Sequence, residues 1–232
     1  MKRRKLTPLE YSLLAIPLLL IAALTSRGGW LQHMSFYANP LGRARADTQR
    51  HNCASRLKIL GLAMQQYMGD YNDRLPPFVI GGTTVTSFAI GSTRVGWTDA
   101  VMPYVYGDPV PRCPSDNTPQ GWPNPLKSGC TSYWFNRNLS ALTRHKITRT
   151  EAVILLGEGG APDATNATYN KSSLSPAWIN DWNSPAQRHL GGANYLFVDG
   201  HVKWLQPQEI STGAQGMYTF NPARIAATTE HK

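Results

Sequence analysis

Carboxylates are scarce in this chain: 14 Asp and Glu face 23 Lys and Arg over 232 residues. They form no H-E-x-x-H or paired-carboxylate motif, and neither a G-x-S-x-G elbow nor a Walker loop is present. The chain is therefore not expected to be an enzyme. Cysteine is equally sparse. Cys53, Cys113 and Cys130 are the only three, with no C-x-x-C pair and no histidine at ligand spacing, so they match no zinc template. No metal or other cofactor is expected. The formal charge of +9 is concentrated in part in the opening MKRRK, and the modestly basic remainder needs no polyanionic partner. No nucleic-acid motif accompanies it.

Long apolar runs are absent except for one. Leu6 to Ser26 is interrupted only by Pro17 and a few polar residues, and it approaches the roughly 20 residues a membrane-crossing helix needs. The basic residues before it favour a cytoplasmic N-terminus, with everything after Arg27 outside. Arg27-Gly28-Gly29 reads as a helix stop. Trp30, Phe36 and Tyr37 suit a membrane interface, so residues 27–40 read as a linker or interfacial elbow.

From Leu41 to about Tyr71 no proline occurs, and Leu57, Leu60, Met64, Tyr67 and Tyr71 recur every three or four residues. That spacing predicts an amphipathic helix with a core-facing stripe. Arg43, Arg45, Arg50, Arg56 and Lys58 occupy its solvated side. Residues 78–95 read as a short hairpin or loop, and Trp97 to Tyr106 as a short helix limited by Pro103. Glu151 to Gly157 is a continuous apolar run and reads as a buried central strand. Glu158 follows it directly, where a carboxylate can serve catalysis or metal binding but has no partner of known position. Residues 160–187 form a long Asn-, Ser-, Thr- and Pro-rich excursion that contains Trp178 and Trp182.

The most informative segment is Arg188 to Leu205, RHLGGANYLFVDGHVKWL. Asp199-Gly200 between apolar runs signals a two-residue hairpin turn. That register pairs Val198 with His201, Phe197 with Val202, Leu196 with Lys203 and Tyr195 with Trp204. It groups Tyr195, Phe197, Val202 and Trp204 on one buried face. His189 and Asp199 then sit near opposite ends of a strand roughly 20 Å long. A dyad would need a kink at Gly191-Gly192 to fold the histidine back, so both residues are read as structural.

This segment resembles the C-terminal H-X9-DG motif of bacterial pseudopilin-like proteins (the DUF1559 group), carried here by His189, Asp199 and Gly200. Cys53 to Ala63 with Asp73-Arg74-Leu75-Pro76-Pro77, the Trp97…Pro103-Tyr104 pattern, Cys113-Pro114-Ser115-Asp116 and Ser132-Tyr133-x-x-Asn136 are similar to the same family. The resemblance implies an inner-membrane, single-pass subunit of a type II secretion or type IV pilus-like assembly. It implies an α+β fold: an N-terminal membrane helix over residues 6–26, then a second amphipathic helix on a small antiparallel sheet ending in the C-terminal hairpin. The exported domain would span residues 41–220, after a basic leader at 1–5, with a tail at 221–232. The subunit would assemble with itself or with other pilin-like subunits, with Glu10 setting register. Lys5 stands where the family has Gly and Leu6 where it has Phe. That argues against processing by a prepilin peptidase, and the chain is expected to keep Met1.

Three cysteines also suit export. Outside the cytoplasm a Cys113–Cys130 bridge would be worth about 3 kcal/mol in the chain-entropy model, leaving Cys53 buried in the helix interface. Pairing of Cys53 with Cys113 is the rival. The alternative function is a membrane-anchored exported hydrolase or ligand-binding domain using His189, Asp199 and His201.

Overall fold

A computed structural model describes residues 39–80, 95–106, 111–121, 127, 129–160, 166–211 and 217–222. The chain divides into two compact units, Met1–Arg45 and Ala46–Lys232. Of the first, the described part is the opening of helix α1, Pro40–Asp70. Asn39 caps this helix, its Oδ1 accepting from the backbone N–H groups of Leu41 at 3.1 Å and Gly42 at 3.4 Å. Pro40 follows at the position where a missing N–H costs nothing. Asn72 and Asp73 close the helix with positive φ, and the Asp73 N–H returns to the Met68 carbonyl at 2.8 Å.

The expected stripe is the buried one. Cys53, Leu57, Leu60, Gly61, Ala63, Met64, Tyr67 and Met68 are buried, whereas nothing from Pro40 to Asn52 is. This face lies on a five-stranded sheet of order β5-β3-β4-β6-β7. Its strands are β3 Tyr133–Asn136, β4 Ile154–Glu158, β5 Asn170–Lys171, β6 Ala193–Phe197 and β7 Val202–Leu205. The apolar run at Glu151 to Gly157 does supply the central strand, β4. Flanking elements are β1 Val79–Ile80 paired with β2 Val95–Gly96, α2 Trp97–Val101, α3 Pro176–Asn180, and the parallel pair β8 Ile210–Ser211 and β9 Tyr218–Thr219.

Alternation along the strands sorts residues between two cores. Tyr133, Phe135, Leu156, Leu196 and Val198 join the helix stripe. Trp134, Ile154, Tyr195 and Phe197 face the other way, where Tyr169, Trp178 and Phe220 cover them. A register shift between Ile154 and Leu156 interrupts the alternation, so Leu155 and Leu156 both serve the helix-side core. Gly157 admits the Trp134 indole, since a Cβ there would lie 2.1 Å from its Cζ2. Gly157→Ala is therefore expected to cost about 1–3 kcal/mol through overpacking. An unchanged urea midpoint would show that the indole can simply move aside.

The expected architecture needs correction on three points. First, no helix among the described residues is long and apolar enough to cross a membrane; the span expected at residues 6–26, like Lys5, Glu10 and the Gly28-Gly29 break, lies outside them. Second, the sheet is mixed, because β5 joins β3 in parallel. Third, the hairpin does not end the fold, because β8 and β9 follow it.

The hairpin register is also off by one residue. Leu196 pairs with Val202, Tyr195 with Lys203 and Asn194 with Trp204. The loop spans three residues, Val198 to Gly200, with Gly200 at φ +96° and its N–H bonded to the Phe197 carbonyl at 3.0 Å. A one-residue slip exchanges faces. Phe197 consequently stacks on His201 at 4.3 Å between ring centroids and does not share a face with Val202 and Trp204.

Candidate functional site

The helix-facing side of the sheet carries its polar residues at one end. Glu158 ends β4 on the same side as Leu156, and Asn194 lies on β6 on the same side as Leu196. His189 arrives by a tight reversal. Leu190 and Gly191 take φ of +59° and +82°, and His189 and Gly192 exchange backbone hydrogen bonds of 2.8 and 3.3 Å. The fold-back at the glycine pair therefore exists, but it aims His189 at Glu158. Asp199 instead accepts from His201 Nδ1 at 2.7 Å on an exposed rim. Glycine at position 200 supplies the positive φ of that turn.

Four side chains converge: Cys53 from α1, Cys113 from the loop after α2, Glu158 and His189. Their donor atoms all lie within 4.8 Å of one another, and all four residues are buried. His189 Nε2 stands 2.9 Å from Glu158 Oε2 and 3.2 Å from Cys113 Sγ. Cys53 Sγ lies 3.1 Å from Glu158 Oε1 and 3.1 Å from the Tyr133 hydroxyl. Glu158 Oε1 also accepts from the backbone N–H of Asn194 at 2.9 Å and from its Nδ2 at 3.0 Å. Arg188 completes the shell, with Nη1 3.5 Å from Glu158 Oε2 and Nη2 donating to the Gly159 carbonyl at 2.5 Å. The same Nη2 lies 3.8 Å from Asp116 Oδ1.

The electrostatics follow from burial and these contacts. Burial alone would raise the Glu158 pKa, but the His189 imidazole and the Arg188 guanidinium outweigh it and hold it at about 2. Burial would lower that of His189, yet the Glu158 carboxylate and Cys113 lift it to about 9. Burial also works against ionising Cys113, whose hydrogen bonds to Cys53 and His189 win and bring it to about 6. Cys53 goes the other way, pushed well up by burial and by its neighbours Cys113 and Glu158. The shifts favour Cys113 over Cys53 as the thiol that ionises beside the His189 imidazole.

A pH dependence follows. The depressed carboxyl of Glu158 stabilises the fold fully above its ordinary 4.5, and that contribution is lost as pH falls toward about 2. On the alkaline side His189 and Cys113 oppose each other. The raised imidazole loses its contribution as pH climbs through about 9, while the lowered thiol gains one above about 6. Urea midpoints of the reduced, metal-free chain should therefore fall on the acid limb, and Glu158→Gln should flatten that limb. Equal acid limbs for both proteins would contradict the assignment.

The arrangement does not suit nucleophilic catalysis. Cys113 and Glu158 both meet the same ring nitrogen, Nε2, whereas a relay uses the two nitrogens for two partners. Cys113 is 2% exposed and His189 1%. Reactive thiols need access as well as a low pKa.

Cys113 and Cys130 are free thiols, as is Cys53. Cys113 turns toward Cys53, while the Cys130 thiol lies by Thr98 and Asp99, where burial raises it to about 11. The sequence singles out His189 and Glu158 separately but does not reveal Cys53, Cys113, Asn194 and Arg188 as their partners, or Tyr133 as the partner of Cys53. One residue of the other core is unusual. Tyr195 is fully buried, and its hydroxyl has no hydrogen-bond partner among the described residues. Tyr195→Phe is expected to stabilise the fold by about 1 kcal/mol, because an unsatisfied hydroxyl is removed without loss of ring volume. A lower urea midpoint would reveal a partner for that hydroxyl.

Comparison with curated proteins and with solved structures gives no match. Residues 42–110 match the model of a family described as a protein of unknown function (DUF1559). The matched stretch holds α1 almost whole, with Cys53, and α2, and it ends just before Cys113. Over this segment the chain is similar to the DUF1559 family.

Proposed function

We propose that this chain is a structural subunit of a pilin-like assembly on the exported side of the bacterial inner membrane, without enzymatic activity. The observation that carries the reading is the division of α1. From Cys53 onward one face of the helix is buried on the sheet, whereas Pro40 to Asn52 contains no buried residue. A long helix committed to its own domain over one half only leaves the other half for neighbouring subunits. Leu41, 72% exposed, offers such neighbours an apolar contact on that half. Copies of this chain, or other pilin-like subunits, are the partners in this reading. The local motif resemblance points the same way, and the burial of the Cys–His–Glu cluster fits a structural role better than a reactive one.

The test is site-specific photo-crosslinking from position 41 in producing cells, combined with electron microscopy of the isolated assemblies. Crosslinks to further copies or to other pilin-like subunits are expected. A chain that stays monomeric and uncrosslinked would exclude the reading. The hydrolase alternative predicts instead that His201→Ala abolishes an activity of the exported domain.

A further inference from the structure

We propose that Cys53, Cys113, His189 and Glu158 form a buried structural site for one thiophilic divalent cation of the zinc class. The proposal does not rest on the assembly role. Two sulfurs, one imidazole nitrogen and one carboxylate oxygen, all within 4.8 Å of one another, match the ligand types and number of a closed tetrahedral zinc centre. The closest contacts between unlike donors are 2.9 to 3.2 Å. Metal–ligand bonds of about 2.0–2.3 Å would set tetrahedral edges of roughly 3.3–3.8 Å. The close pairs need to spread by a few tenths of an ångström and the widest, within 4.8 Å, to draw in by about 1 Å at most to admit the ion.

The surroundings are those of a ligand set with oriented partners. Tyr133 hydrogen-bonds Cys53 Sγ, both Asn194 nitrogens hold Glu158 Oε1, and Arg188 stands against Glu158 Oε2. Such outer contacts orient the ligands of metal sites and tune them. Charge also balances. Two thiolates and a carboxylate exceed a divalent ion by one negative charge, and the Arg188 guanidinium offsets it. Binding displaces onto solvent whatever protons the ligand set still holds. A Cys53–Cys113 disulfide is the competing use of the two sulfurs. It would engage two of the four donors and leave the convergence of His189 and Glu158 on the same point without a purpose. With four protein ligands and no exposed face, the site has no open position, so its role is to lock the fold.

The experiment uses the full chain, purified under reductant, stripped of metal and titrated anaerobically with cobalt(II). Expected are a thiolate-to-cobalt charge-transfer band, intense visible bands of a tetrahedral ion, saturation at one ion per chain, displacement by zinc and a higher melting temperature with zinc. Cys53→Ser and Cys113→Ser should abolish the charge-transfer signature in part or whole, and Cys130→Ser should retain it. Tyr133→Phe should weaken zinc binding by about 10–100-fold. Should the cysteine variants fail to fold, X-ray absorption of the zinc-loaded native chain decides: two sulfur and two light-atom ligands support the site. An all-light or sulfur-free shell overturns it. So does the absence of cobalt bands in the reduced chain, or a zinc-free chain from its own cells with Cys53 disulfide-bonded to Cys113.

Discussion

Glu158→Ala is expected to lower the unfolding free energy by about 3–5 kcal/mol, the cost of breaking a buried ion pair from one side. The carboxylate is fully buried and has five partners: His189, Arg188, Cys53 and two nitrogens of Asn194. Its removal takes from the buried imidazole and the buried guanidinium their nearest carboxylate, leaving only Cys113 at 3.2 Å and Asp116 at 3.8 Å beside them, and it leaves two Asn194 donors unmatched. Asp199→Ala is the contrasting experiment. Asp199 pairs with His201 at 2.7 Å, but both side chains are more than a third exposed, and exposed pairs contribute about 1 kcal/mol or less. Equilibrium urea unfolding of both variants tests the difference. If the Asp199 variant proved the weaker protein, the centre of the polar network would have to be moved from Glu158 to the hairpin turn.

Trp134→Ala should cost about 3–5 kcal/mol as well, through a different cause. The indole is wholly buried in the core opposite α1, tilted against Phe220 at 5.1 Å and Tyr195 at 6.4 Å. It fills the space left by the missing Cβ of Gly157, and its Nε1 donates to the Glu158 carbonyl at 2.8 Å. Truncation leaves a cavity the size of an indole together with a buried carbonyl deprived of its donor. A loss below about 1 kcal/mol in urea unfolding would mean that Phe220 and Tyr195 collapse into the space. The double variant Trp134→Ala, Gly157→Ala should then be no less stable than Trp134→Ala alone, since the clash at Gly157 is with the indole itself.

Helix α1 was legible because Leu57, Leu60, Met64 and Tyr67 keep helical spacing over many turns, and β4 because an unbroken apolar run has few other uses. The hairpin was legible in place but not in register. Register is fixed by the face that must be buried, and here both faces of β6 are buried, so the apolar pattern fits either pairing equally. Val198 then decides by joining the loop, and Gly200 supports a three-residue loop as readily as a two-residue one. Strand β5 left no signal, since two residues within a polar stretch carry no periodicity. The cluster was illegible for another reason. Its members come from a helix, a loop, a strand end and a reversal, and ligand templates recognise only short spacings. The glycine pair at 191 and 192 did hint at a fold-back, but a kink in sequence does not reveal its direction.

The cluster's contacts span long stretches of chain, with 105 residues separating Cys53 from Glu158 and 76 separating Cys113 from His189. Contacts of such separation carry a large loop-closure cost, so they form after the helix and the hairpin have taken shape. Interactions absent from the folding transition state act mainly on the unfolding rate. The convergence of these four side chains thus works as a latch set at the end of folding. It leaves the speed of folding almost untouched and lengthens the lifetime of the folded domain.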